Sequence, residues 1–441
     1  MIPSTISSGD TAWIFVSAAL VLLMLPGLAL FYGGLVRARA TLNTLMMSFA
    51  AFALVTVQWV LFGYALAFGA GGTIGNLDWV GLIGVGQKAG PYSSTIPHVA
   101  FAAFQLMFAG ITVALISGAM VERIRFRAYL IFALLWTTLV YDPIAHWVWA
   151  SDGWLRKLGA LDFAGGTVVH VSAGTAAFVA AIMLGRRRDV GRTALRPHNI
   201  VYTLIGAGLL WVGWFGFNAG SALAADGIAA TALIATHVAA ASGLIAWLAI
   251  DNIRKGKSTA VGGATGAVVG LVAITPAAGY VTPLAAIAIG TLGAVASYAA
   301  IEIRNHTRID DALDVFACHG VAGIMGALLT GVFASKAINP AGADGLLAGN
   351  PRLLWVQALA VLTTVAIAAP LTAGILSGMS LVARVRLPFR EELTGVDASE
   401  HGEHAYHDID GSPIAGLGTR LGESVFVVTE PKVDYPTRGA A

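Results

Sequence analysis

Long apolar stretches, broken by short polar connections rich in arginine, run through nearly the whole chain. Eleven of them lie at roughly 11–35, 42–69, 98–121, 128–149, 166–185, 200–218, 228–250, 260–279, 283–303, 313–335 and 353–383. About 20 apolar residues suffice to cross a hydrocarbon core as an α-helix. A membrane β-barrel would instead need ten-residue segments of alternating polarity, and the chain does not read that way. The pattern predicts an all-α polytopic membrane protein with eleven transmembrane helices. The chain opens with a polar segment, Ile2 to Asp10, without a basic n-region. The first apolar run continues through Leu25-Pro26-Gly27 to Arg37, too long for a signal-peptide core, and reads as a permanent span.

Composition narrows the class. Of 441 residues, 57% are hydrophobic and only 11% charged, against about 25% charged in soluble domains. A disordered, collagen-like or nucleic-acid-binding protein is excluded, and a soluble enzyme does not fit. No nucleophile–base arrangement or cofactor motif is evident, so no cofactor or metal is expected. The single cysteine, Cys318, rules out an intramolecular disulfide framework and a multi-cysteine metal site. The 53 glycines suit close helix packing in lipid.

Charge placement gives a direction. The connections after odd-numbered runs hold 18 lysines and arginines, and those after even-numbered runs hold five: Lys88, Arg156, Lys157, Lys336 and Arg352. Basic residues collect on the cytoplasmic side. The N-terminus is therefore expected outside and the C-terminus in the cytoplasm of a plasma (inner) membrane protein.

Four histidines lie well within runs: His146, His170, His237 and His319. Ionisable groups at membrane depth are functional candidates. Two share a pattern, D-x7-H-x2-A-G: Asp162 to His170 with Ala173-Gly174, and Asp311 to His319 with Ala322-Gly323. The copies lie on the fifth and tenth runs, so their helices are expected to run in opposite directions. Eight residues of helix rise about 12 Å, and half the hydrocarbon core is about 15 Å. Both imidazoles are thus expected near the midplane, facing a common pore, as in transporters built from inverted repeats. The plainer alternative is two core histidines bonded to neighbouring helices. Asp162 has two readings, a helix cap or a functional acid. Asp310, Asp311 and Asp314 read as helix-end residues. His146 and His237 are expected to bond within the bundle, and Cys318 to pack.

These residues and their neighbours resemble the ammonium transporter (Amt/Mep/Rh) family, in its bacterial Amt branch. The matching stretches are Pro26-Gly-Leu-Ala-Leu-Phe-Tyr-Gly-Gly34, Phe104-Gln105 through Glu122-Arg-Ile-Arg-Phe126, Pro143-Ile-Ala-His-Trp-Val-Trp149, Ala160 through His170, Gly213-Trp-Phe-Gly-Phe-Asn-Ala-Gly-Ser221 and Val315-Phe-Ala-Cys-His-Gly320. The resemblance implies two five-helix inverted halves, 11–185 and 200–335, and an eleventh helix at 353–383. It also implies an outer N-terminus at 1–10, a cytoplasmic regulatory tail at 384–407 and a homotrimer with one pore per subunit. Residue by residue, it implies that Phe108, Trp149 and Ser221 recruit NH4+ and that Phe108 and Phe217 form a stacked gate. His170 and His319 are implied to line the lumen, and Asp162 to be an acid needed for activity. Phe104, Tyr141, Trp214 and Thr275 match the surrounding shell. The implied substrates are NH4+/NH3, with methylammonium a further candidate. The tail, from Val385-Arg-Leu-Pro388 to Tyr406, is implied to couple subunits and to dock a trimeric PII-type signal protein.

The chemistry fits those residue types. Moving an unpaired ion into hydrocarbon costs on the order of tens of kcal/mol. Aromatic faces offset roughly 0.5–2 kcal/mol of this, tryptophan most, and a serine hydroxyl accepts a hydrogen bond. Ammonium can also release a proton and cross as neutral NH3. Potassium cannot, and would need a ring of oxygens replacing its hydration shell. Two facing neutral imidazoles can bond each other, offer polar atoms to NH3 and relay a proton. Trp149 could alternatively anchor at the membrane interface, a role that fits Trp136, Trp147 and Trp154 better.

Some features remain unassigned. Asp142 lies inside the fourth run, where it could pair with a neighbouring helix or face the vestibule. Ala65 stands where some relatives carry serine. His401, His404 and His407 have metal-compatible spacing, though a solvated tail is the simpler expectation. Residues 408–441 extend past the usual family end, and Ser424-Val-Phe-Val-Val-Thr429 could add as a strand to a partner. Three other functions fit parts of this pattern: an ammonium sensor with little transport, a sodium-driven carrier with a broken ion-binding helix, and an Rh-like neutral gas channel. Sensor versions carry an appended signalling domain, for which 408–441 is too short. Trp149 and Ser221 argue for cation recruitment over gas conduction.

Overall fold

The computed structural model describes residues 6–190 and 196–406. It is an all-helical bundle. Among the described residues, ten helices are long and apolar enough to cross a membrane. They are α1 (Ser8–Leu35), α2 (Ala38–Phe68), α3 (His98–Met120), α4 (Phe126–Leu158), α5 (Gly166–Leu184), α6 (Ile200–Ala222), α7 (Gly227–Lys255), α9 (Pro283–Asn305), α10 (Phe316–Phe333) and α11 (Pro351–Val382). An eleventh apolar helix, α8 (Ala260–Ile274), is shorter. A small hairpin, β1 (Ala89–Gly90) and β2 (Ser93–Pro97), precedes α3. The multi-pass helical expectation holds.

Local chemistry sets the helix ends. Asp226, Thr259 and Thr282 each accept backbone N–H bonds at the starts of α7, α8 and α9, and Pro283 occupies the first turn of α9. Gly256 closes α7 at φ 72°, a conformation that glycine adopts without a Cβ clash. Helix α8 ends five residues before the apolar run does. Thr275 keeps helical backbone angles, φ −51° and ψ −46°, but Pro276 follows it without the N–H that would extend the helical hydrogen-bond ladder. The chain then turns through 275–280, and the Pro276 carbonyl accepts a bond from Phe163 N–H at 3.1 Å.

Backbones approach closely where glycines face each other. A Cβ on Gly174 of α5 would sit 2.2 Å from Gly320 N on α10, and one on Gly206 of α6 would sit 2.3 Å from Phe31 N on α1. Dispersion contacts of this kind drive helix association where surroundings are as apolar as the side chains. Large apolar residues face outward, among them Leu284, Trp355 and Leu362.

Several expectations change. His237 is exposed on α7, against the rings of Trp211 and Phe215, rather than bonded inside the bundle. Trp136 is fully buried and donates to Thr372 Oγ1 at 3.1 Å, and Trp147 is buried and donates to the Thr73 carbonyl. Neither is an interfacial anchor, because each indole N–H finds its partner inside the protein. Only Trp154 is substantially exposed among the three.

Charged residues at the end of the bundle holding the α1–α2, α3–α4, α5–α6 and α9–α10 connections form a buried network. Glu122, at φ 66°, accepts from Arg37 and Arg187. Asp310 accepts from Arg187 and Arg123. Asp310 is therefore an ion-pair hub and not a helix cap. Asp311 does cap α10, accepting Phe316 N–H at 2.7 Å, and Asp314 pairs with Arg304. Burial alone would raise the Glu122 carboxyl, but Arg187 and Arg37 outweigh it and hold the group at about 2. Asp310 is likewise held at about 2, burial being outweighed by Arg187 and Arg123.

The tail packs on this end as far as Tyr406. Asp397 accepts the N–H groups of Leu42 and Asn43 at 3.0 and 2.8 Å, Glu400 accepts Phe126 N–H at 2.9 Å, and His401 bonds Asn43 Oδ1 at 3.0 Å. Tyr406 meets His198 at 2.7 Å. The tail is docked through these groups, not solvated. His407, the segment 408–441 and its candidate strand 424–429 lie outside the described residues.

Candidate functional site

The two D-x7-H-x2-A-G motifs adopt closely similar backbones. Each histidine sits in a π-helical turn, Gly166–Val171 for His170 and Phe316–Val321 for His319. Helix α5 starts at Gly166, so only half of the Asp162–His170 interval is helical, and the simple rise estimate does not apply. The gap is bridged by Asp162. Its Oδ1 accepts from Gly165 and Gly166 at 2.8 and 2.6 Å, and its Oδ2 accepts from Thr167 and Val168 at 2.8 and 3.0 Å. One carboxylate thus satisfies the N-terminal backbone donors that a helix otherwise leaves open. The cap reading of Asp162 is the one its contacts express.

From this anchor the site assembles. Trp149, near the end of α4, donates its indole N–H to the Asp162 carbonyl at 2.9 Å. Its ring stands edge-on to Phe108 of α3, centroids 5.9 Å apart. Phe108 lies against Phe217 of α6 at 4.2 Å, with Phe104 behind it at 5.0 Å. Ser221 donates to the Phe217 carbonyl at 2.8 Å, which leaves its oxygen lone pairs free to accept. Phe217 itself lies in a third π-turn, Phe215–Ala219. Beyond it, the His170 ring is 6.1 Å from Phe217 and 5.5 Å from Trp214. The Trp214 indole N–H is fixed by Thr275 Oγ1 at 2.9 Å. Tyr141 is buried in a fourth π-turn, Thr137–Tyr141.

His170 and His319 meet through their Nδ1 atoms at 3.3 Å, rings inclined at 23°. Both are almost fully buried. In a neutral pair one Nδ1 carries the proton and the other accepts it. The first ring then presents a bare Nε2 acceptor and the second an Nε2–H donor. His170 Nε2 is buried with no protein partner among the described residues. A narrow apolar cavity of about 10 Å3 runs here, lined by Leu28, Tyr32, Leu115, Val268, Trp214 and the two histidines. It has room for about one water-sized molecule. These contacts bring Phe104, Phe108, Trp149, Asp162, His170, Trp214, Phe217, Ser221, Thr275 and His319 into one region; the cavity-lining Leu28, Tyr32, Leu115 and Val268 are not among the residues the sequence singled out, Leu28 and Tyr32 having only their place in the Pro26–Gly34 stretch as a signal. The π-turns carried no signal at all.

The family model described as Ammonium Transporter Family matches residues 12–406. The chain belongs to that family. Its members are multi-pass membrane transporters and not enzymes. The chain is 51% identical over 402 residues to an ammonium transporter of Bacillus subtilis (strain 168), covering 91% of this chain and 99% of that one. It is 48% identical over 410 residues to one of Aquifex aeolicus (strain VF5), covering 91% and 94%. The crystal structure of Candida albicans Mep2 aligns with TM-score 0.84 at 34% identity, covering 94% of this chain and 95% of that one. A structure described as a sensor Amt protein aligns with TM-score 0.81 at 29% identity, covering 89% and 98%.

Two leftover residues find local partners. His146 bonds the carbonyls of Ala67 and Gly71, as expected. Asp142, fully buried, accepts from Gln58 Nε2 at 2.7 Å, which settles it as a link between α4 and α2. Ala65 and Cys318 are packed in the interior.

Proposed function

We propose that this family member recruits NH4+ at Phe108, Trp149 and Ser221, strips a proton near the Phe108–Phe217 pair and conducts NH3 past His170 and His319. The released proton crosses by a separate or shared polar route, so that net transport moves one positive charge. The observation that carries this reading is the imidazole pair at 3.3 Å in an apolar cavity, behind the Phe108 and Phe217 rings, which pack at 4.2 Å with a 33° tilt. Such a lumen offers an ion almost nothing to replace its water shell, but offers a small neutral base one donor and one acceptor. Selectivity against K+ follows, since K+ has no proton to give.

The same reading takes the two matching histidine motifs as the marks of two inverted five-helix halves joined by α11. It places the arginine-rich end in the cytoplasm and assembles three subunits. The docked segment 384–406 is then the surface that a PII-type protein would sense. The test is current from proteoliposomes given ammonium pulses. Wild type gives saturable ammonium current and none with K+. His170→Ala loses that selectivity and saturable current. A wild-type response from His170→Ala, or equal current with K+, overturns the mechanism. The sensor alternative, kept in view by the similar sensor Amt structure, predicts negligible current from wild type.

A further inference from the structure

One buried acid takes no part in the pore chemistry. Asp142 of α4 is fully enclosed, and its Oδ2 accepts from Gln58 Nε2 of α2 at 2.7 Å. Among the described residues its Oδ1 has no partner, and Asp142 forms no ion pair. The Gln58 amide is buried too, and only half used. Its Nε2 reaches Thr138 Oγ1 at 3.3 Å as well as Asp142, but its Oε1 has no partner. Thr138 cannot supply the missing proton, since its hydroxyl donates to the Leu134 carbonyl at 2.9 Å. Two acceptor atoms are thus left bare on two side chains that already touch.

One proton satisfies both atoms. Buried charges are paired or neutralised, and no cation pairs with Asp142. A protonated carboxyl is an O–H donor beside a C=O acceptor, which complements the N–H and C=O of an amide. Acid and amide then fit each other by two antiparallel bonds, Nε2–H to Oδ2 and Oδ1–H to Oε1. The first is present at 2.7 Å. The second uses the two bare atoms.

The place of this pair gives it a task. A π-turn, Trp59–Gly63, follows Gln58 at once, and the π-turn Thr137–Tyr141 ends just before Asp142. A Cβ on Gly63 would lie 2.5 Å from Gln58 Oε1, so this glycine leaves the room in which the amide folds back along its own helix. Trp59 of one π-turn lies 6.5 Å from Tyr141 of the other, and its indole N–H donates to the Ala102 carbonyl of α3 at 3.1 Å. Ala102 stands just ahead of Phe104 and Phe108 on α3. Slipping either turn by one residue would swing its aromatic ring by about 100°.

We propose that Asp142 is a neutral carboxylic acid locked to Gln58 by two reciprocal hydrogen bonds, and that this clamp keeps the two π-turns in register, so that Trp59 and Tyr141 position the α3 segment carrying Phe104 and Phe108. Asp142 and Gln58 are positioning residues. The effect on recruitment rests on the outer ammonium site; the clamp itself does not.

Asparagine carries the same donor and acceptor as a neutral aspartic acid, so Asp142→Asn tells a neutral acid from a carboxylate. The test uses the full-length protein in liposomes at neutral pH, read by infrared difference spectra, thermal unfolding and the dependence of current on ammonium concentration. Wild type minus Asp142→Asn should show the C=O stretch of a protonated carboxyl. Asp142→Asn should keep the melting temperature and half-saturating ammonium concentration of wild type. Asp142→Leu leaves two Gln58 groups bare, each shifting the folding equilibrium by about fivefold or more, so about 25-fold together, read as a lower melting temperature. It should also raise the half-saturating ammonium concentration more than it lowers the maximal current. Gln58→Leu/Asp142→Leu leaves neither partner bare, and should recover the melting temperature but not the half-saturation.

A carboxylate band in place of the acid band overturns the neutral clamp, as does an Asp142→Asn variant as damaged as Asp142→Leu. A wild-type half-saturation in the double variant overturns the positioning of the outer site. If wild-type current does not saturate with ammonium, recruitment itself fails, while the infrared band and the melting order still decide the clamp.

Discussion

Replacing Asp162 separates its two readings. Both carboxylate oxygens are occupied by four backbone N–H groups at 2.6–3.0 Å, in a side chain only 7% exposed. Each buried donor left without an acceptor costs about 1–3 kcal/mol. Asp162→Ala orphans all four, a loss of roughly 4–12 kcal/mol before the backbone relaxes. Asp162→Asn keeps one oxygen, and so two of the four bonds, but turns an amide NH2 toward the other two donors. Its cost is about half as large, roughly 2–6 kcal/mol. The damage also spreads to the site, because Trp149 is bonded to the Asp162 carbonyl and His170 sits in the π-turn that the carboxylate starts. Thermal unfolding of the purified variants, paired with ammonium current in liposomes, reads both effects. The expected order of melting temperature is wild type, then Asn, then Ala, with current falling in the same order. If Asp162→Asn melts like wild type yet carries no current, the carboxylate does proton chemistry of its own and the capping account fails.

Other outcomes follow from the same contacts. Glu122→Gln removes a charge that two buried arginines require, and breaking such a pair costs about 3–5 kcal/mol; the check is a melt at neutral pH. Glu122 and Asp310 are both held at about 2, below the ordinary carboxylate value of about 4. Their contribution is complete above that ordinary value and is lost as pH falls through 2. Melting temperature should thus show no loss from these groups between pH 7 and 5 and should drop below pH 4, with a shallower acid slope in Glu122→Gln. Gly174→Ala forces a methyl within 2.2 Å of Gly320 N, beside His319. Overpacking of this kind costs about 1–3 kcal/mol, and a lower melt with reduced current is expected; an unchanged melt would mean that α5 and α10 can separate freely. Asp397→Ala removes the acceptor of the Leu42 and Asn43 N–H groups near the start of α2, a cap-like contact worth about 1 kcal/mol, and should speed proteolytic release of the tail while the rest of the chain stays resistant.

The apolar runs determined the helix number and most boundaries within a few residues, because lipid leaves backbone polar groups no partners outside a helix. The family motifs likewise placed Phe108, Phe217, Trp149, Ser221 and the two histidines in one region. Other features depended on atoms far apart in the chain. Whether Asp310 capped a helix or bound arginines turned on where Arg123 and Arg187 arrive. His237 and Trp136 read alike as apolar-run residues, yet one faces outward and the other donates to Thr372 on a helix more than 230 positions away. The early end of α8 needed only a proline, but the π-turns under His170, His319 and Phe217 have no sequence period of their own. A π-turn adds one residue to a turn and re-aims every side chain after it. The helices were set by local hydrophobicity; the 3.3 Å meeting of two imidazoles was set by how those helices are wound and how closely glycine lets them pack.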